Sequence, residues 1–166
     1  MANHISYDCR PDLVGVQMSN GLTSVFVSVL VLAASALAQT DRQREFAAWF
    51  ASRDQNVFGL GMVGFDIGEM PWRADTLEAD RDFVLRSVEA AKGRSGWDRL
   101  GYEPREDWVF ERLEAFRSLV AAFDARDAET RSESDWSLGV RPAAFTLCAV
   151  HAVYLHAYGC ALCGDA

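Results

Sequence analysis

The chain has 166 residues, which suits one domain with a buried core, so we predict a single domain over residues 1–166. Half of the residues are hydrophobic and 11% are aromatic, which is typical of a globular chain and excludes a disordered one. The formal net charge of −8 disfavours binding to nucleic acid or to an anionic membrane surface, and it favours a basic protein partner.

The cysteine pattern indicates whether the protein lies in a reducing or an oxidising compartment. Three of the four cysteines lie close together near the C-terminus, so they do not form the evenly spread framework of a secreted disulfide-rich domain. We therefore predict a reducing, cytoplasmic environment.

The N-terminal residues 4–21 contain short β-like runs that are broken at Arg10-Pro11 and at Ser19-Asn20-Gly21. Runs of this length with turn residues between them predict one or two edge strands.

Residues 22–38 form an uncharged apolar stretch, for which we predict a buried core helix. The alternative is an export signal or a membrane segment, because Ala36-Leu37-Ala38 resembles a signal peptidase site. Arg10 is the only basic residue among those numbered 5–21, so the basic n-region of an export signal is missing. The stretch is also shorter than the roughly 20 residues of a membrane span.

Three further helices are predicted after the apolar stretch. Thr40 or Asp41 can cap the first of them, and Asp75 with Glu78 can form a capping box at the start of the second. The third carries one apolar stripe at alternating spacings of four and three residues. The predicted ranges are 41–53, 75–92 and 104–123.

The segments between and after these helices are predicted to be irregular. Residues 55–72 contain four glycines and one proline, which favour a loop with a short strand at most. Residues 124–135 are charged and are predicted to be a mobile linker.

Two close pairs of metal-ligand residues lie at the C-terminal end, in Cys148-x-x-His151 and Cys160-x-x-Cys163. Two such pairs supply the four N/S ligands that tetrahedral Zn²⁺ requires, and a tight turn aims both members of each pair at one ion. The stretch resembles a zinc-ribbon or zinc-knuckle module of the Cys-Cys-His-Cys type, and the resemblance implies a structural Zn²⁺ within a C-terminal module over residues 143–166. His156 is an alternative nitrogen ligand, because the eight residues between the pairs and Ala152 depart from the usual pattern.

The fold class that follows is mainly α (α+β). We expect a four-helix core with short N-terminal strands and a C-terminal zinc-bound hairpin or knuckle.

Other interpretations of the cysteines remain at this point. A redox Cys-x-x-Cys motif needs a following helix, but only three residues follow Cys163 in this sequence. Free thiols can also pack as small hydrophobic groups. A catalytic zinc site would keep one position open for water, which four protein ligands leave no room for.

Three other patterns carry little chemical signal. Residues 59–64 match the spacing G-x-G-x-x-G, but the residues after them are poor helix formers, so a dinucleotide fingerprint is not expected. Asp66 with Glu69 lacks a partnering base, and Cys9 with His4 lacks the context of a catalytic dyad.

Residues 66–82 carry six carboxylates against Arg73 and Arg81, a net charge of −4. One interpretation is an ordinary solvated face that includes acidic residues of a first helical turn. The other is a docking surface for a basic protein, with Trp72 as its anchor. The predicted partner-binding residues are Asp66, Glu69, Trp72, Asp75, Glu78, Asp80 and Asp82.

Three function classes remain. The first is an acidic protein-binding inhibitor, since the chain is similar in character to small acidic bacterial immunity proteins that neutralise a cognate toxin. The second is a zinc-stabilised adaptor protein. The third is an enzyme whose site the sequence does not reveal.

Overall fold

The computed structural model describes residues 3–128, 136 and 139–165 of the chain. Its helices and strands, in chain order, are β1 (Asn3–Ser6), β2 (Val16–Met18), α1 (Asn20–Leu37), α2 (Asp41–Ala51), α3 (Gln55–Phe58), β3 (Phe65–Asp66), α4 (Leu77–Lys92) and α5 (Glu106–Ala122). Several short 3₁₀ turns connect them. The predicted fold class, mainly α with a small sheet, is therefore confirmed.

The strands form one small sheet in the order β2-β1-β3. β1 pairs antiparallel with β2 and parallel with β3, so Ile5 lies between Val16 and Phe65. The two predicted N-terminal strands are present, and β1 is the central strand instead of an edge strand.

α1 is the central helix of the core and packs against α2, α4 and α5. The Ser19 side chain accepts a hydrogen bond from the backbone N–H of Leu22 and so caps the helix. The apolar residues from Phe26 to Ala34 are all buried. α1 is also the one helix in the described part of the chain that is long and apolar enough to cross a membrane, but most of it is enclosed by the other helices. The prediction of a buried core helix is confirmed.

The other predicted helices are present with small shifts in their ends. Thr40 caps α2 through a capping box with Gln43. The capping box predicted from Asp75 and Glu78 is wrong, because α4 starts at Leu77 after a 3₁₀ turn and its N-cap makes no side-chain hydrogen bond.

The glycine-rich loop contains the one-turn helix α3, which the sequence did not predict. Gly59 and Gly61 adopt positive φ angles, and a Cβ at Gly64 would lie 2.8 Å from the carbonyl oxygen of His4. Gly59 and Gly61 therefore allow the chain to turn, and Gly64 allows it to pass close to β1. A strand and a 3₁₀ turn follow them, so the helix that a dinucleotide site requires is missing there.

The predicted linker is structured at its start. Ala125–Ala128 form a 3₁₀ turn in which Ala128 is buried, and the Asp127 carboxylate accepts a hydrogen bond from the Tyr7 hydroxyl. Residues 129–135 lie outside the described part of the chain.

Candidate metal centre

The first ligand pair lies on a tight turn that is closed by a short bridge between Leu147 and Tyr154. The backbone N–H of Cys148 donates to the Val153 carbonyl at 2.8 Å, and the N–H of Ala152 donates back to the Cys148 carbonyl at 2.9 Å. Ala152 has a φ of 55°, a left-handed conformation that glycine would adopt more easily. This turn places the side chains of Cys148 and His151 on the same side.

The second ligand pair follows a hairpin whose ends are His156 and Gly159. The chain then turns so that the backbone N–H of Leu162 points at the Cys160 sulfur at 3.4 Å. A 3₁₀ turn over Cys163–Asp165 follows. The hairpin thereby brings Cys160 and Cys163 next to the first pair.

The four predicted ligands meet at one point. Their ligand atoms all lie within 4.8 Å of one another. The Nδ1 of His151 lies 3.4 Å from the Cys163 Sγ, 3.7 Å from the Cys160 Sγ and 3.9 Å from the Cys148 Sγ. The Sγ atoms of Cys148 and Cys163 are 3.7 Å apart.

These separations fit the edges of a tetrahedron around a metal ion. With Zn–S bonds of about 2.3 Å and Zn–N bonds of about 2.0–2.1 Å, a tetrahedral site has S···S edges of about 3.8 Å and S···N edges of about 3.6 Å. The four separations given above lie close to these values. The Cys₃His cluster could therefore hold one metal ion.

The pKa values of the Cys148 and Cys160 thiols are shifted in opposite directions by the protein groups around them. Burial raises the pKa of the Cys148 thiol, but the backbone N–H groups of His151 and Val150 and the neighbouring side chains outweigh it and lower the pKa to about 6. Burial and the adjacent sulfur atoms of Cys148 and Cys163 raise the pKa of Cys160 to about 12. The protein groups thus favour the thiolate of Cys148, and a bound divalent cation would favour the thiolate of Cys160.

His151 is the histidine of the cluster that could hold a metal ion, whereas the alternative, His156, lies outside that cluster. His156 is buried, and its Nδ1 accepts a hydrogen bond from the backbone N–H of Tyr158 at 3.1 Å. The proton of the neutral ring is therefore on Nε2, which donates to the Asp54 carboxylate at 3.1 Å. The Nε2 contact holds the hairpin to the start of α3, and the Nδ1 contact lies within the hairpin itself.

The centre is fastened to the helical core. Val153, Tyr154, Ala161 and Leu162 belong to the same buried cluster as the helices. The Ser35 hydroxyl of α1 accepts a hydrogen bond from the backbone N–H of Tyr154, and the Tyr154 hydroxyl accepts one from the Arg44 side chain of α2. The hairpin is therefore part of the main core.

Cys9 and His4 do not form a site. Cys9 is exposed in the turn after β1. Desolvation and the nearby carboxylates of Asp127, Asp66 and Asp8 raise its pKa, whereas a nucleophilic cysteine needs a lowered one.

Trp72 is not a surface anchor, so this part of the predicted docking surface is wrong. The side chain is 1% exposed, and its indole N–H donates to the Ile67 carbonyl at 2.7 Å. Its ring stacks on Phe123 at 4.9 Å between centroids and contacts Phe46 at 5.2 Å. Trp72 closes the core beneath the loop that carries the acidic residues.

The six carboxylates of residues 66–82 mostly have partners within the protein. Asp66 and Glu69 cap a 3₁₀ turn through hydrogen bonds to the backbone. The exposed residues Asp75, Glu78 and Asp82 each lie beside an arginine, at 3.7, 2.5 and 2.9 Å. Because these charges are paired, they leave a weaker field toward solvent than their number indicates.

Asp80 is buried and belongs to an ion-pair network that the sequence did not reveal. Its carboxylate lies 2.5 Å from the Arg42 guanidinium, which also contacts the buried carboxylate of Glu45 at 2.8 Å. Trp136 and Arg141 donate hydrogen bonds to the other oxygen of Glu45. The network joins α2, α4 and the segment that leads to the metal centre, so Asp80 has a structural role.

Replacing Trp72 with alanine is expected to destabilise the fold by about 3–5 kcal/mol, because it empties a fully enclosed site. Urea unfolding monitored by circular dichroism measures this change. The matched control is Trp108→Ala, since Trp108 is 48% exposed and its loss is expected to cost no more than about 0.5 kcal/mol. Equal stabilities of the two variants would contradict the core position of Trp72.

No family model matches the chain, and neither does any curated protein or solved structure.

Proposed function

We propose that this chain is a non-catalytic protein-binding module that a structural Zn²⁺ stabilises and that a basic protein partner recognises. The observation that carries the proposal is the cluster of four ligands at Cys148, His151, Cys160 and Cys163. A catalytic zinc site keeps a position for water or substrate, whereas four protein ligands complete a tetrahedron.

Zinc is the ion that this donor set favours. Three thiolates and one imidazole in a tetrahedral arrangement match the ligand preference of Zn²⁺, while harder cations prefer oxygen ligands. The thiolates require a reducing environment, which is consistent with a cytoplasmic location.

The basic partner is supported by the net charge of −8. A protein of this charge attracts cationic surfaces over several ångströms and speeds their association. An immunity protein that inhibits a toxin is the specific form of this function that the charge favours. A zinc-stabilised adaptor is the more general form of the same function. Both would bind a basic protein through the acidic surface of the chain.

Affinity capture with the tagged, zinc-loaded chain in extract from its native cell tests the proposal. We expect a basic protein to be enriched at low salt and lost at high salt, because exposed charges are screened as ionic strength rises. Titration of the purified partner must then give a saturable complex of fixed stoichiometry. If the partner is a toxin, co-expression of the chain should restore growth. Salt-independent binding to an acidic protein, or turnover of a substrate by the isolated chain, would contradict it.

A further inference from the structure

The three cysteines of the metal centre differ in their access to solvent. Cys163 is exposed, whereas Cys148 and Cys160 are half-buried against the main core. Cys160 lies deeper than Cys148, and the backbone N–H of Leu162 points at its sulfur at 3.4 Å. A reagent that approaches from solvent therefore meets the Cys163 sulfur first, and exposure is one of the properties that make a cysteine open to oxidation.

The sulfur of Cys148 lies in contact with that of Cys163. The two Sγ atoms are 3.7 Å apart, and both cysteines are free. A disulfide requires a separation of about 2.05 Å, so the sulfur atoms must approach by about 1.7 Å. A change of χ1 rotamer moves a cysteine sulfur farther than this, and the exposed side chain of Cys163 has room for such a change.

The sequence pattern alone would select a different pair, Cys160-x-x-Cys163, as the redox disulfide. The two residues between these cysteines, Ala161 and Leu162, are only 4% and 5% exposed. A bridge within this turn would close a small ring around residues that the core holds in place. A bridge from Cys163 to Cys148 spans 15 positions in the sequence and leaves the two core residues where they are.

We propose that Cys163 and Cys148 form an oxidation site, in which a hydroperoxide oxidises Cys163, Cys148 closes a disulfide with it, and the metal ion leaves the centre. With hydrogen peroxide, the Cys163 thiolate attacks one oxygen and the O–O bond breaks. The products are a sulfenic acid and hydroxide, which takes up a proton to become water. The Cys148 thiolate then attacks the sulfenic sulfur, the S–S bond forms as the S–O bond breaks, and a second hydroxide leaves as water.

The disulfide would change the centre in two ways. It removes two of the four ligands, so that only Cys160 and His151 remain, and two ligands do not complete a tetrahedral site. It also cross-links the same segment that the metal ion would hold, which limits the freedom of the unfolded chain. Oxidation is therefore expected to release the ion while the hairpin stays closed. That the released ion is zinc rests on the proposed function, whereas the disulfide can form in the metal-free chain as well.

The test uses the full chain with Cys9→Ser, loaded with zinc. This substitution removes the exposed cysteine outside the cluster, which could otherwise link two molecules. Hydrogen peroxide is added, and the remaining thiols are then alkylated with N-ethylmaleimide. Chymotrypsin, which cleaves after Tyr158 and Leu162, separates the three cysteines of the cluster, so that mass spectrometry identifies the linked peptides.

We expect Cys148 and Cys163 to be linked and Cys160 to carry the alkyl group. A colorimetric chelator should record one zinc ion released for each disulfide formed. The oxidised chain should keep a Tm within about 5 °C of the zinc-loaded chain, whereas the reduced, metal-free chain should unfold about 10 °C lower. Dithiothreitol, a dithiol that becomes a cyclic disulfide, should restore both thiols and zinc binding.

Metal-free variants separate the pair from the third cysteine. Cys160→Ser keeps both members of the pair, so it should form the internal disulfide at a rate within about twofold of the metal-free parent. Cys148→Ser leaves only the two cysteines of one turn and should form a disulfide about tenfold more slowly. Equal rates in the two variants would overturn the proposal. So would a main disulfide that includes Cys160, or peroxide treatment that leaves the zinc bound.

This proposal and the proposed function can fail separately. If the purified chain binds no zinc but its metal-free form still links Cys148 to Cys163, the zinc-stabilised module is wrong and the oxidation site stands. If the chain binds one zinc and a basic partner but peroxide links another pair of cysteines, the oxidation site is wrong and the proposed function stands.

Discussion

Replacing Cys160 with serine is expected to abolish stoichiometric zinc binding and to lower the Tm by about 10 °C. The Cys160 sulfur lies 3.7 Å from the Nδ1 of His151, and the next two residues, Ala161 and Leu162, are buried in the main core. Because metal binding is coupled to folding of the segment that holds the ligands, loss of one ligand should loosen these core contacts as well.

Elemental analysis of protein purified without chelator measures the zinc content, and differential scanning calorimetry measures the Tm. The control is Cys9→Ser, because Cys9 is an exposed free cysteine outside the ligand cluster and its replacement should change neither quantity. A wild-type chain with well under one zinc per molecule, or a Cys160→Ser variant that keeps its zinc and its Tm, would show that the cluster is not a zinc site.

The sequence predicted the Cys₃His cluster well because the information is local. Two residues between the members of each pair require only a tight turn to converge, and both turns are present. The choice between His151 and His156 could not be made from spacing. It depends on Asp54, which is distant in sequence and engages His156 at the start of α3.

The sequence was a poor guide to the acidic surface because a count of carboxylates does not show which of them are paired. Asp80 lies five residues from Asp75 in the sequence, yet it is buried against Arg42 of another helix while Asp75 is exposed. The sequence around Trp72 did not predict its burial either, because its aromatic contacts are to Phe46 and Phe123, which are distant in sequence. Long-range packing decides both cases.

The helices were predicted from local sequence features: α1 from an uncharged apolar stretch, α2 and α4 from capping residues, and α5 from apolar residues that repeat with the helical period. Such features are clearer in long helices, since α1, α4 and α5, of four to five turns each, were predicted, while the single turn of α3 was not. The cap of α3 is Asp54, whose other carboxylate oxygen faces His156, so this short helix depends on the hairpin for part of its support.

Replacing Val29 with aspartate is expected to prevent folding to a soluble protein. Val29 is 0% exposed in the middle of α1, which packs against three other helices. A buried carboxylate without a partner costs more than about 4 kcal/mol, which is comparable with the whole stability of 5–15 kcal/mol that is typical of a domain. Soluble yield and the circular dichroism spectrum of the purified variant measure the effect.

The matched control places the same carboxylate on the same helix at an exposed position. Gly21→Asp should fold at least as well as the wild type, because a Cβ there meets no atom within 4 Å and α1 has no acidic residue in its first turn. A carboxylate at that end opposes the positive end of the helix dipole. If Val29→Asp folds as well as Gly21→Asp, the central position of α1 is wrong. N-terminal sequencing of the protein from its native cell gives a second check, since a mature chain that starts at Gln39 would make residues 22–38 an export signal.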